Sequence, residues 1–209
     1  MAVENSSKPF SIEFYPPRTA AGEAKLDEVH EELARLQPDF FSVTYGAGGS
    51  TKSGTQQLVL KYRQLGSDVA PHLSFGGTDE GEVLELLESY KEAGINRIVA
   101  LRGDIPSGGG AAMQYRYANE LVAFIRENFG DTFEMLVAAY PEIHPEAESY
   151  EKDIYWLGEK FKAGASRAIT QYFYNADSYF YFIDQCHKSG IDQPIIPGIM
   201  PITNYQNLV

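Results

Sequence analysis

A glutamate lies in the middle of an otherwise apolar strand near the start of the chain. Residues 11–18 are SIEFYPPR, in which apolar and polar positions alternate until two prolines end the strand pattern. A carboxylate there either faces a solvated surface and pairs with a neighbouring cation, or is buried, in which case its pKa rises. A raised pKa suits a general acid. Glu13 is therefore a candidate proton donor, and a cation-paired strand residue is the alternative.

A second group of ionisable residues lies in LRGD, residues 101–104. Arg102 and Asp104 follow an apolar strand. They could form a local ion pair, or an acid–base or cofactor-orienting pair, and both interpretations stay open. Arg-Gly-Asp is also a cell-attachment sequence, but the N-terminus lacks the apolar segment of a secretory signal, so we set that interpretation aside.

The glycine-rich segment GAGGSTKSG, residues 46–54, has the composition of a phosphate-binding loop. Its spacing fits neither G-x-x-x-x-G-K-[ST] nor G-x-G-x-x-G. A plain strand-to-helix turn is therefore favoured, with Ser50 or Thr51 capping the next helix.

Three further side chains combine polar chemistry with a loop or a strand end. Tyr140 and His144 share a loop, where a lone histidine is more often solvent-exposed than functional. The four histidines and one cysteine show no metal-ligand spacing, so no metal is expected.

The aromatic clusters at 171–175 and 178–182 are interpreted mostly as core and helix-face residues. Gln171 is the exception, because a buried amide at a strand end needs a protein or ligand partner.

These residues are distributed along alternating strand-like and helix-like segments. Strands are predicted within residues 11–16, 39–46, 71–77, 96–103, 133–141, 166–173 and 193–200. Apolar residues at helical spacing predict helices over residues 20–36, 53–65, 79–93, 116–128, 149–163 and 177–188. At three junctions a basic helix end is followed by a glycine and an apolar strand, at Gly94, Gly164 and Gly190. The chain is therefore predicted to repeat one β-α step.

A repeated β-α step predicts parallel strands joined by right-handed crossovers. Both an open doubly wound sheet and a (β/α)8 barrel satisfy it. A dinucleotide-binding open sheet should carry G-x-G-x-x-G after its first strand, and PPRTAAGE stands there instead. A barrel gathers polar residues at the carboxyl ends of its strands. Such residues end the predicted strands here: Thr44, Arg102, Asp104, Tyr140 and Gln171. His72 is predicted to open the third strand. The barrel is favoured.

Composition narrows the class of protein. The chain has 209 residues, of which 44% are apolar and 22% charged, as in soluble globular proteins. A net charge of -12 argues against a nucleic-acid binder, which needs basic surface. No stretch approaches the roughly 18 apolar residues of a membrane span, and the single cysteine, Cys186, suits a reducing compartment. A cytoplasmic location is expected.

The alternation of strands and helices also predicts the domain organisation. One (β/α) barrel domain is expected over residues 1–209, because no linker or shift of composition marks a boundary. Only seven strands are predicted, so the barrel is expected to be truncated after about seven strands, with its C-terminal unit missing.

Over nearly its whole length the sequence resembles the methylenetetrahydrofolate reductase family. The resemblance is carried, in order, by SIEFYPPR, PDFFSVTYGAGGST, PHLSF, NRIVALRGDIP, YANELV, AAYPEIHPEA, DIYWLGEKFKAGASRAITQYFYN and IIPGIMPITNY. The short N-terminal extension is similar to the stand-alone prokaryotic form. The resemblance implies a (β/α)8 barrel that binds FAD at its C-terminal face. NADH or NADPH reduces the flavin and leaves, and 5,10-methylenetetrahydrofolate is then reduced to 5-methyltetrahydrofolate for methionine biosynthesis.

The resemblance also implies roles for individual residues. Glu13 matches the general acid that protonates N10 of the folate, which opens the ring to a 5-iminium cation that accepts hydride from flavin N5. Asp104 matches the aspartate beside flavin and pterin, where its charge would stabilise that cation and tune the flavin. Gln171 matches the glutamine that contacts folate and nicotinamide. The positions that match FAD contacts are Thr44, Tyr45, Ala47, His72, Arg102, Gly103, Asp104, Tyr117, Ala118, Tyr140, His144, Ala147, Asp153 and Lys160.

Two helix positions depart from the family pattern. Trp156 and Glu159 stand where some members place polar or basic FAD contacts, and the loop at 105–114 is longer and glycine-rich. Two alternatives therefore stay open: a flavin-free (β/α) barrel lyase or aldolase that uses Glu13 and Asp104, and a non-catalytic barrel binding subunit. The expected partners are a folate, a nicotinamide and further copies of the chain in a homo-oligomer, with no nucleic acid and no membrane.

Overall fold

The computed structural model describes residues 8–45, 52–75, 79–103 and 117–202. The chain divides into two compact units, unit 1 (Met1–Arg116) and unit 2 (Tyr117–Val209). The described elements of unit 1 are β1 (Ile12–Phe14), α1 (Ala20–Ala34), β2 (Phe41–Val43), α2 (Lys52–Gln64), β3 (Val69–Leu73), α3 (Glu80–Glu92) and β4 (Arg97–Ala100). Those of unit 2 are α4 (Ala118–Phe129), β5 (Glu134–Ala139), α5 (Tyr150–Lys162), β6 (Arg167–Thr170), α6 (Ala176–Lys188) and β7 (Ile195–Ile196).

All six predicted helices are confirmed, with ends within two residues of the predicted ones. Their starts are fixed by side chains that accept a hydrogen bond from an otherwise unpaired backbone N–H in the first turn. Thr19 caps α1, Asp79 caps α3 and Ser149 caps α5. The three glycines predicted at helix ends all have positive φ. Glycine adopts this left-handed conformation just past a helix at low energetic cost, because it has no Cβ. Local sequence therefore sets the helix bounds.

The strands of unit 1 pack one face against helices. Phe14 of β1 stacks on Phe41 of β2 at 5.1 Å between ring centroids. His30 of α1 and Tyr62 of α2 both lie against this pair of rings. Because side chains alternate along a strand, the neighbouring residue Glu13 points to the opposite face. That face, away from the helices, is where the polar strand residues of unit 1 lie.

The third strand begins earlier than its sequence suggests. The strand was predicted within residues 71–77, so Pro71 was its expected first residue. Residues before it already pair with β2, as Phe41 with Val69, so β3 runs from Val69 to Leu73. The prediction that His72 opens the strand was wrong. His72 is the fourth of five residues and lies near the carboxyl end.

Unit 2 repeats the same construction with β5, β6 and β7 in parallel. One arginine connects two of its turns. Arg126 donates to the carbonyl oxygen of Gly130 at 2.7 Å and to that of Gly164 at 2.6 Å. A Cβ at Gly164 would stand 2.8 Å from Arg126 Nε, and φ there is 119°. Glycine is therefore required at this turn both by conformation and by space.

The strand order distinguishes between the two predicted architectures. A doubly wound sheet reverses its order at a switch point. Here the strands follow chain order within each unit, β1 to β4 and then β5 to β7, with a helix between successive strands. The fold class is therefore confirmed as α/β of the (β/α)8 barrel type. A single domain over 1–209 stays a prediction. Among the described residues, no helix is both long and apolar enough to cross a bilayer.

Candidate active site

Glu13 and His72 meet on the face of unit 1 that points away from the helices. Their closest atoms, Glu13 Oε2 and His72 Nε2, are 3.5 Å apart. The two residues lie on β1 and β3, and β2 runs between them. Ser42 of β2 is in register with Glu13, and Thr44, directly after β2, is level with His72. Because these intervening side chains are short, the two longer ones can approach across β2.

The His72 imidazole is neutral at neutral pH. The residue is 8% exposed, and its burial lowers the pKa from the ordinary 6.5 to about 4. At 3.5 Å the contact with Glu13 is too long for a good hydrogen bond. Nε2 is buried and has no hydrogen-bond partner among the described residues. A buried polar atom of this kind is costly unless a ligand or water satisfies it, so His72 Nε2 marks a position where a polar group of a ligand fits.

The carboxyl group of Glu13 has a raised pKa. Burial of the group is the cause, although 46% of its side chain is exposed. The exposed part of the side chain therefore does not prevent desolvation of the carboxyl oxygens. Among the described residues no lysine or arginine pairs with Glu13, and neutral His72 cannot replace one. The desolvation of Glu13 is therefore unopposed.

Thr44 ends β2 with a second unpartnered polar atom. Its backbone N–H donates to the carbonyl oxygen of Phe14 at 2.9 Å, and its own carbonyl oxygen accepts from Thr55 Oγ1 at 2.8 Å. Both contacts fix the backbone at the strand end. Thr44 Oγ1 is buried and has no hydrogen-bond partner in the described part of the chain. Two buried polar atoms, Thr44 Oγ1 and His72 Nε2, thus remain for a ligand near the carboxyl ends of β2 and β3.

Gly103, after β4, brings the backbone close to β3. Leu101 N–H donates to the carbonyl oxygen of Leu73 at 2.8 Å, which continues the pairing past the strand. Gly103 has a φ of 77°, and a Cβ there would stand 2.5 Å from Ser74 Oγ. No side chain fits at this position. The neighbouring Arg102 is half-buried.

In unit 2 the loop after β5 is joined to α5 by charged residues. Lys160 Nζ donates to the carbonyl oxygen of Ala138 at 2.8 Å and lies 6.0 Å from the centre of the Tyr140 ring. Asp153 Oδ2 accepts from the backbone N–H of His144 at 2.8 Å. The Tyr140 and His144 rings meet edge to face at 4.6 Å. Four of the predicted residues are thereby brought together.

His144 is held in one tautomer by its own loop. The backbone N–H of Glu146 donates to His144 Nδ1 at 3.0 Å, which requires Nδ1 to be unprotonated. The proton of the neutral ring is therefore on Nε2. Ala147 closes the turn by donating its N–H to the carbonyl oxygen of His144 at 2.9 Å. His144 is half-buried, whereas a loop histidine is usually solvent-exposed.

The start of α4 carries a contact that the sequence did not predict. Tyr117 N–H donates to Glu120 Oε2 at 2.8 Å, and Ala118 is buried in the first turn. The Tyr117 ring lies nearly parallel to that of Trp156 on α5, at 11° and 6.1 Å. Trp156 was set aside on sequence as a departure from the family pattern, and the structure places it beside a predicted cofactor residue.

The family model for methylenetetrahydrofolate reductase matches residues 1–209. The chain belongs to the methylenetetrahydrofolate reductase family. It is 43% identical over 199 residues to the 5,10-methylenetetrahydrofolate reductase of Pectobacterium carotovorum subsp. carotovorum, covering 95% of this chain and 65% of that protein. The enzyme of Escherichia coli K12 is 43% identical over 94% of this chain and 65% of its own length. The chain thus spans just under two thirds of these relatives.

A plant relative and solved structures extend the comparison. Methylenetetrahydrofolate reductase (NADH) 1 of Arabidopsis thaliana is 36% identical over 99% of this chain and 37% of its own length. A Clostridium thermocellum protein, described as binding two copies of 5-methyl-5,6,7,8-tetrahydrofolic acid, has a TM-score of 0.63 at 15% identity and covers 97% of this chain and 69% of its own. A 2,3-dimethylmalate lyase has a TM-score of 0.58 at 9% identity, over 96% of this chain and 72% of its own. These structures share the fold.

The structure of this methylenetetrahydrofolate reductase family chain corrects two expectations near β6. Gln171 was expected to be a buried amide, but its side chain is exposed because β6 ends at Thr170. Gln171 Oε1 accepts from the N–H of Tyr172 at 3.0 Å. The aromatic clusters were interpreted mostly as core and helix-face residues. Phe182 is buried on α6, and Phe180 and Tyr181 are exposed on the same helix, but Tyr172 and Tyr174 are exposed outside any helix.

Some predicted positions are not tested by this geometry. Asp104 and Ala47 lie outside the described residues, as do Ser50, Thr51 and the loop at 105–114. The Arg102–Asp104 interpretations and the catalytic role of Asp104 therefore stay predictions. Tyr45 lies at the end of the described segment after β2 and is half-buried. Within the described ranges, no three His, Cys, Asp or Glu side chains are grouped to hold a metal ion.

Proposed function

We propose that this chain carries the catalytic and flavin-binding residues of a 5,10-methylenetetrahydrofolate reductase. The proposed reaction reduces 5,10-methylenetetrahydrofolate to 5-methyltetrahydrofolate, with FAD as cofactor and NADH or NADPH as electron donor. The observation that carries the proposal is Glu13, an acid with a raised pKa beside a neutral histidine, in a chain whose family is shown. The names of the bacterial relatives and the folate-binding description of a structural neighbour support the substrate class.

The described residues of unit 1 fit a flavin ring. Thr44 Oγ1 and His72 Nε2 are buried and lack described partners, so each is available to the polar edge of a planar heterocycle. At Gly103 the absence of a Cβ lets the backbone after β4 approach Ser74, just past the carboxyl end of β3. Bound FAD would supply electron transfer from the nicotinamide to the folate.

The described residues of unit 2 fit the phosphate-bearing part of a dinucleotide. Lys160 places a cation at the carboxyl end of β5, in a chain that is otherwise strongly acidic. Asp153 orders the loop backbone at His144, and the fixed tautomer leaves His144 Nε2–H as a donor. We propose that Lys160 and His144 donate to the cofactor's phosphate and ribose oxygens, and that Asp153 acts by holding the loop.

Glu13 is the proposed proton donor to N10 of the folate. A carboxyl group can donate only while it is protonated, and burial of Glu13 raises the pKa toward the pH at which an enzyme works. Neutral His72 at 3.5 Å does not oppose this effect, whereas a cation at that distance would lower the pKa of Glu13. Neutral His72 therefore leaves the raised pKa of Glu13 in place, and protonation of N10 would assist opening of the five-membered ring.

Anaerobic spectroscopy of the purified chain tests the proposal. The flavin absorbance of the reconstituted protein should bleach with NADH or NADPH and return with 5,10-methylenetetrahydrofolate. Free FAD under the same conditions is the control for uncatalysed transfer. A protein that cannot be loaded with FAD would refute the proposal for this chain. A loaded protein whose reduced flavin ignores the folate would refute the assigned substrate.

A further inference from the structure

Trp156 and Tyr117 form an exposed aromatic pair in unit 2. Trp156 is 49% exposed and Tyr117 43%, so both residues keep a large solvent-accessible surface. Their planes are nearly parallel, at 11°, with centroids 6.1 Å apart. Trp156 is also the single tryptophan of the sequence. Two exposed aromatic rings that lie nearly parallel form a flat apolar surface on which another planar group can stack.

The aromatic pair is continuous with the charged residues of α5 described above. Asp153, Trp156 and Lys160 are spaced by three and four residues, which places them on one face of the helix. Asp153 and Lys160 both reach the carboxyl end of β5 and its loop. Trp156 lies between them in sequence on that face. The open rings therefore belong to the same surface as the proposed phosphate-binding cation.

The acidic residue on the next turn is paired with a lysine. Glu159 lies three residues after Trp156, where a carboxylate would be unfavourable for phosphate. Its Oε1 accepts from Lys162 Nζ at 2.7 Å, so a neighbouring cation offsets its charge. Lys160 keeps its cation beside the Tyr140 ring on the other side.

We propose that the aromatic pair is a stacking platform for a purine base, the adenine of the dinucleotide cofactor. This inference rests on the proposed FAD-dependent function and adds a contact that replaces the polar or basic ones of the family pattern. A flat base stacks on an open indole face without needing a matched hydrogen-bond partner, and each base–aromatic contact is worth a substantial part of nucleotide affinity. Lys160, on the same helix face, supplies the cation for the phosphates that follow the adenosine.

Intrinsic fluorescence of the full chain tests the platform without any enzyme turnover. With excitation at the red edge of indole absorption, emission reports Trp156 alone. Saturating ADP should reduce that emission about twofold or more, because a stacked base quenches indole, and inorganic pyrophosphate should leave it unchanged. FAD binding is followed separately by its visible absorbance.

Variants separate stacking from general folding effects. Trp156→Leu should raise the Kd for FAD roughly 5- to 150-fold, the equivalent of one lost base–aromatic stack, and leave the Kd for FMN, which lacks adenine, unchanged. Trp156→Phe should retain most of the affinity. Phe180→Leu removes an exposed aromatic ring from α6 and should have no effect on either Kd.

The outcomes distinguish this inference from the proposed function. If FAD binds while Trp156 emission is unaltered, and Trp156→Leu binds FAD as tightly as the parent, the platform is refuted and the flavin proposal stands. If ADP quenches but no flavin binds, the platform stands and the flavin proposal fails. If neither FAD nor ADP binds, both fail. The parent titration decides the matter even where the leucine variant does not fold.

Discussion

The neutral state of His72 has a measurable consequence for stability. With a folded-state pKa of about 4 against an ordinary 6.5, folding prevents protonation of His72 between these two values. Above pH 6.5 the imidazole is neutral in both states and contributes no pH dependence. As the pH falls from 6.5 to about 4, the unfolded chain takes up a proton that the folded chain does not, so unfolding becomes more favourable. Stability present above 6.5 is therefore lost toward pH 4.

The magnitude follows from the same two values. The difference between 6.5 and about 4 corresponds to about 3 kcal/mol, at about 1.4 kcal/mol per pH unit. Glu13 acts in the opposite direction, because a raised folded-state pKa makes the folded chain take up a proton first as the pH falls. The measurement is therefore made in a Glu13→Gln background, where this opposing contribution is absent. His30, whose pKa is also lowered by burial, is common to both proteins and cancels.

The assay is urea unfolding followed by circular dichroism near neutral pH and at about pH 4. Glu13→Gln should lose about 3 kcal/mol more between these conditions than Glu13→Gln with His72→Gln. Equal losses in the two proteins would refute the reasoning. His72 would then titrate normally and could act as a charged partner of Glu13, and Glu13 would be half of an ion pair and not a proton donor.

Three further changes test the site residues. Glu13→Gln should slow reoxidation of reduced flavin by 5,10-methylenetetrahydrofolate by about 100-fold or more, in stopped-flow absorbance, with reduction by the nicotinamide unchanged; equal loss in both half-reactions contradicts the role. Gly103→Ala should lower the free energy of unfolding by roughly 1–3 kcal/mol, and by more than Gly66→Ala, which has a similar positive φ but no atom near its Cβ position. Lys160→Met should raise the Kd for FAD by about 10-fold or more, measured by flavin absorbance. Lys188→Met, which removes a lysine paired with Asp184 on α6, should not, and equal effects would remove Lys160 from the cofactor site.

The helices and the fold class were predictable because their signals are local. N-caps, glycines at positive φ and helical spacing of apolar residues all lie within a few positions of the element that they define. The start of β3 was not predictable, because the pairing of Val69 with Phe41 is a tertiary contact that no local pattern reports. Gln171 was placed correctly at a strand end, but its exposure depends on where neighbouring segments lie.

The types of the site residues were predictable from the sequence, but the contacts between them were not. Alternation along β1 put Glu13 on the correct face, yet its proximity to His72 depends on the register of three strands. No pattern in the sequence reports that register. Trp156 was missed because it departs from the family pattern, and the family pattern had been the means of assigning cofactor contacts. Its partner Tyr117 lies on another helix, so their stacking could be found only in the structure.

Ser42, the small residue of β2 in register with Glu13, affects the chemistry of the site although it performs none. A bulkier side chain at this position would separate the acid from its neutral neighbour while leaving the pairing of the three strands intact. Such a variant would pass a folding screen and still have a Glu13 of altered acidity. Ser42 is therefore a position where the working pH of the protein could change during divergence, or be redesigned, without replacing a single reactive group.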